Sequence, residues 1–118
     1  MKLTVYERIT LLQVLPAVHQ RGSFVKLKTL NRLIDDLGFD EQEIVGWGIQ
    51  QQDDRITWDE KAAQPIDIEM GPVATELVLD ALRWLDGNER LDLGTLGLCE
   101  KFGYEGLGED EEAVDGNN

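Results

Sequence analysis

Cysteine and histidine are almost absent from this sequence, where Cys99 and His19 each stand alone. A single thiol can close no disulfide within the chain, and it suits a reducing compartment. One cysteine and one histidine are too few for a closed structural zinc site. Any nucleophile–imidazole pair would have to use His19, which falls in an expected loop far along the chain from Cys99. Cys99 is spaced with Leu96 and Phe102 on an expected helix, a pattern that predicts a buried, inert thiol.

Long apolar runs are missing too. No stretch approaches the ~20 apolar residues of a membrane span, and Glu7 and Arg8 interrupt the N-terminal segment before a secretory leader can form. The expectation is a cytoplasmic protein without a membrane partner. A phosphate cradle is also lacking: Gly46-Trp47-Gly48 opens no glycine-rich helix, and no Gly-Lys-Ser/Thr occurs. Bases are scarce, with 11 Lys and Arg against 24 Asp and Glu and a formal charge of −13. After Lys101 no base follows, only Glu105, Glu109, Asp110, Glu111, Glu112 and Asp115; with those six set aside, the remainder still carries about −7. Such a surface repels phosphates and anionic lipid. It serves solubility, or a basic protein partner.

What is present is enough for one core: 42% of 118 residues are hydrophobic. Thr4 to Glu7 forms a capping box for a first helix that should end near Pro16. Ser23 opens a second helix, with Leu27, Leu30, Leu33, Ile34 and Leu37 as one stripe and Gly38 as a left-handed stop. Asp40 to Glu43 caps a short third helix, stopped by the glycines around Trp47. The period then becomes two. Ile56 and Trp58, then Ile66, Ile68 and Met70, alternate with polar residues as in an antiparallel pair joined by residues 59–65; Ile49 to Gln52 adds a shorter strand turning at Asp53-Asp54. Pro72 starts a fourth helix ending near Gly87, and Asp92 caps a fifth bearing Leu96, Cys99 and Phe102. The class is α+β: three helices, a small antiparallel sheet or hairpin, then two helices, an order like that of a winged helix. The domain spans 1–102, and an acidic tail expected to be disordered spans 103–118.

No constellation selects a reaction. Asp86 to Asp92 opens like a calcium loop but puts Arg90, Leu91 and Gly97 where an oxygen ligand, a glycine and a glutamate are needed. Asp53-Asp54 and Asp59-Glu60 would hold Mg²⁺ only if they met across a hairpin. Carboxylates are too many for any pair to stand out. No cofactor or metal is expected, and an enzyme is the least favoured class. As a winged helix, the chain would read DNA with its third helix, which carries Asp40, Glu41 and Glu43 and no base; the basic candidates are Arg21, Lys26, Lys28 and Arg32, diluted by Asp35 and Asp36. Acids at Asp53, Asp54, Asp59, Glu60, Asp67 and Glu69 raise the opposite idea, a surface that mimics DNA. Leu79 falls on the polar side of the fourth helix, Trp84 at the edge of its apolar stripe and Trp47 between two glycines, and together they suggest a protein-binding surface.

Leu3 to Ile9, Leu15-Pro16, Phe24 to Phe39, Glu41 to Glu43, Gln52 to Trp58 and Leu98 to Phe102 together resemble small proteins encoded by tailed phages and prophages. The likeness covers about residues 3–102 and carries no catalytic motif; the longer acidic tail departs from it. It implies a phage accessory protein acting inside a bacterium. The expected function is therefore non-enzymatic binding of a protein, such as a basic host protein, with inhibition of a host factor or defence system as its use. Trp47, Leu79, Trp84, Asp53, Asp54, Asp67 and Glu69 are its candidate residues. The alternatives are a self-assembling structural protein with Leu79 and Trp84 at the seam, and a nucleic-acid binder using Lys26, Lys28 and Arg32.

Overall fold

A computed structural model describes residues 1–107. The chain is α+β. Its elements are β1 (Lys2–Leu3), α1 (Val5–Val18), α2 (Phe24–Leu37), α3 (Glu41–Gly46), β2 (Gln50–Gln52), β3 (Arg55–Thr57), β4 (Ile66–Asp67), α4 (Pro72–Gly87) and α5 (Leu93–Lys101). Among the described residues no helix is long and apolar enough to cross a membrane.

Local chemistry sets the helix starts. Thr4, Asp40 and Asp92 each accept a hydrogen bond from a main-chain N–H in the first turn and form reciprocal boxes with Glu7, Glu43 and Thr95, while Ser23 accepts from the Lys26 N–H. Each such cap is worth about 1 kcal/mol. Pro72 stands at the start of α4, where no N–H is needed.

The core lies where α1 packs against α2, α4 and α5, and α2 against α4. Leu3, Leu11, Leu15, Leu37, Val78, Leu82 and Leu98 are completely buried there, each burial contributing about 1.5–3 kcal/mol.

Four local expectations need correction. α1 runs through Pro16 to Val18. Pro16 is exposed in the last turn, and buried Val14 and Leu15, with the His19 N–H on the Leu15 carbonyl, hold the helix beyond it. Gly38 is extended, with φ −64° and ψ 163°, because the chain leaves α2 directly into the Asp40 cap. Leu27 and Leu96 are exposed; the inward positions of their helices are Leu30, Leu33 and Leu37, and Leu98 and Cys99. Residues 103–107, assigned to the tail, pack back on α4: Tyr104 contacts the core, and its hydroxyl donates to Asp86, which also accepts from the Leu107 N–H. The rest of that tail, 108–118, lies outside the described residues.

The largest difference is strand pairing. β3 does not pair with the strand at Ile66. It pairs with β2, in register Gln50 to Thr57, Gln51 to Ile56 and Gln52 to Arg55, turning at Asp53-Asp54 as expected. β4 pairs instead with β1, Lys2 facing Asp67 and Leu3 facing Ile66. Burial of Leu3 and Ile68 in the core drives this closure, and the N-terminal amine donates to Asp67 at 2.7 Å.

Candidate interaction surface

α1 is apolar on more than one side. Val5, Leu11, Val14 and Leu15 point into the core, but Ile9 and Leu12 remain half-buried on another face. A helix apolar around most of its girth needs a second covering layer. Here that layer is incomplete. Ile9 and Leu12 form the floor of an open groove of about 300 Å³, walled by Phe39, Ile44, Ile49 and Ile56, with Gln13 and Gln51 at its sides.

The walls are positioned by a buried ion pair. Arg8 is 1% exposed. Its Nε donates to the Leu37 carbonyl and its Nη2 to the Gly38 carbonyl, satisfying the end of α2. Both terminal nitrogens also donate to Glu43, at 3.1 Å each. The guanidinium lies 4.1 Å from the centroid of the Phe39 ring. One side chain of α1 thus fixes the end of α2, Phe39 and the start of α3.

The hairpin forms the outer wall. Gly48 takes φ 61°, a left-handed value that glycine adopts freely. The Ile49 N–H then returns to the Ile44 carbonyl, and the Asp59 N–H donates to the Trp47 carbonyl at 2.8 Å. Gln51 and Ile56 are opposite each other and both face the groove. Asp53, with φ 55°, turns the chain at the tip.

The proposed residues do not gather at one place. Trp47 is half-buried at the base of the hairpin, beside the groove-lining Ile49. Asp53 and Asp54 are exposed at its tip. Asp67 belongs to β4 and pairs with the N-terminal amine, which lowers its pKa. Glu69 lines a recess between α2 and α4 with Arg32 and Pro72. The expected acidic face is therefore split between two sheets, because β3 and β4 are not neighbours. For the same reason Asp53-Asp54 and Asp59-Glu60 do not meet: they flank β3 at opposite ends. Among the described residues no group of three or more Cys, His, Asp or Glu converges as metal ligands would.

Leu79 is packed against the core, a correction to its expected free position. Trp84 is exposed, with the Arg90 guanidinium 5.6 Å from its ring, and shares a shallow depression with Tyr6, Arg90 and Asp92. On α2, Lys28 and Arg32 are exposed and Lys26 is half-buried. Arg32 shares its recess with Asp36 and Glu69, so the basic patch is interrupted by acids. Apolar residues not singled out from the sequence are among the most exposed: Phe24, Val25, Val45 and Leu93.

The lone histidine and the lone cysteine are both buried. His19 is buried, its Nε2 2.8 Å from the Leu77 carbonyl. The Cys99 thiol is buried on α5, and burial, reinforced by the Asp86 carboxylate, raises its pKa. No family model, curated protein or solved structure matches the chain.

Proposed function

We propose that the chain is a non-enzymatic, acidic accessory protein, of the kind tailed phages and prophages encode, that works inside a bacterium by binding another protein. Inhibition of a host factor or defence system is the use such binding would serve. The observation that carries this reading is the apolar groove on α1, α3 and the hairpin, which the fold itself leaves uncovered. Binding surfaces place an apolar centre inside a polar rim. Binding is favoured over catalysis because His19 is hydrogen-bonded to a main-chain carbonyl and the Cys99 thiol is buried. The test is capture from a bacterial lysate on the immobilised chain over a salt series. A partner released by salt is the expected result, and no retained protein at low salt counts against the reading.

Self-assembly is the second reading, and Leu93 favours it: this side chain is 87% exposed on α5, with half-exposed Leu96 on the same helix. Leu79, partly buried against the core, offers that seam less surface than Leu93. A monomer in light scattering at high concentration would remove it. The nucleic-acid reading of Lys26, Lys28 and Arg32 gains no support from their acid neighbours, and a gel shift at low salt is expected to be negative.

A further inference from the structure

The groove has an electrical character as well as an apolar floor. Asp40 and Glu41 are exposed at the start of α3, next to Phe39 and one turn before Ile44. Asp53 and Asp54 are exposed at the tip of the hairpin whose Ile56 lines the other wall. Arg55 neighbours Ile56 on β3, so strand alternation turns its side chain to the opposite face. Arg8, stacked on Phe39, is neutralised by Glu43. The α1 side contributes the uncharged Gln13. The groove is thus apolar within and negative at both ends.

We infer that its occupant is a basic amphipathic helix of a partner protein, with two apolar side chains about one turn apart and Lys or Arg flanking them. This rests on the protein-binding reading and gives that partner its chemistry. About 300 Å³ is at the lower end for a whole small-molecule ligand and suits a pair of apolar anchors. The floor itself presents Ile9 and Leu12 from a single helical face, so a facing helix can interdigitate with it. A second copy of the chain is disfavoured, because it would bring another net charge of −13 to the negative ends of the groove. The chain's own residues 108–118 are disfavoured on the same ground, holding Glu109, Asp110, Glu111, Glu112 and Asp115 and no base.

The test is titration of the full chain with a Leu- and Lys-based amphipathic helical peptide, followed by two-dimensional NMR and calorimetry at low and moderate salt. Amide shifts should concentrate at Ile9, Leu12, Phe39, Ile44, Ile49 and Ile56. Ile44→Ser and Ile56→Ser, each checked for fold by circular dichroism, should weaken binding about tenfold, as should the triple change Glu41→Gln/Asp53→Asn/Asp54→Asn. A Glu-bearing peptide with the same Leu spacing should not bind. Shifts spread over the acidic surface, unchanged affinity in both Ile variants, equal binding of the Glu peptide, or no binding at low salt would overturn the inference. A lysate protein retained equally by the unaltered chain and by Ile44→Ser overturns the groove assignment and leaves protein binding standing. No retained lysate protein at all removes the protein-binding reading itself.

Discussion

Glu43 holds Arg8 with both carboxylate oxygens, and one of those oxygens, Oε1, also accepts the Asp40 N–H at 3.0 Å. One carboxylate therefore neutralises a buried cation and closes the cap of α3. Glu43→Ala leaves the buried Arg8 its two carbonyl acceptors but no counter-charge, and a loss of about 3–5 kcal/mol is expected in urea unfolding. Glu43→Gln should lose less, since an amide oxygen still accepts a hydrogen bond. Arg8→Leu with Glu43→Leu should fall nearer the unaltered protein than either single change, and a double-mutant cycle measures the difference.

Alkaline pH should destabilise the fold. Three groups that gain negative charge have raised pKa values: Cys99 by burial and then by Asp86, Tyr104 by burial and then by its hydrogen bond to Asp86, and Tyr6 chiefly by its hydrogen bond to Asp92. A raised folded pKa means the native state holds the proton more tightly. The stability it contributes is full below the ordinary values of 9.0 for the thiol and 10.0 for the phenols. It is lost as pH rises through the folded values. Urea midpoints at about pH 7, 9 and 10.5 should decline in that order. Tyrosinate absorbance should lag that of the unfolded chain, and Tyr104→Phe should flatten the decline.

Two glycines of α5 should answer oppositely to alanine. A Cβ at Gly94 would sit 2.7 Å from the Tyr6 ring, whereas one at Gly97 would meet Glu7 Oε2 at 3.4 Å, an ordinary contact. Helix propensity alone favours Ala by about 1 kcal/mol at either place. Gly97→Ala should gain up to about that amount. Gly94→Ala should be net destabilising, because the Tyr6 ring must shift and so strain its bond to Asp92. Parallel thermal melts decide this.

Pro16→Ala should raise stability by about 1–2 kcal/mol. It restores an N–H to the last turn of α1, where Pro16 is exposed. The gain falls short of the ~3 kcal/mol of a mid-helix proline, because the unfolded chain also becomes freer. The midpoint of a denaturant curve measures it.

The helices were legible because their signals are local: caps at Thr4, Ser23, Asp40 and Asp92, and the stripes of α2 and α4. The β1–β4 pair was not, since two residues per strand carry no period and Lys2 meets Asp67 only through the tertiary fold. The burial of Arg8 was not legible, because arginine is ordinarily exposed. Its place three and seven residues before Leu11 and Leu15, on the buried stripe of α1, was the available signal. The groove was half visible. Trp47, Asp53 and Asp54 lie on the hairpin that walls it, but the face holding Ile9 and Leu12 was signalled only by the surplus of apolar residues on α1.

The closure between β1 and β4 is joined by a second one, in which the Lys101 ammonium reaches the Lys2 carbonyl at 2.8 Å and Glu7 at 2.7 Å. Both link β1 and the start of α1 to residues made much later. During synthesis α1 can wind early, but its leading end has no mate until Asp67 has emerged, and its Glu7 stays unpaired by lysine until the end of α5 leaves the ribosome. Completion of this closure therefore waits on the synthesis of α5.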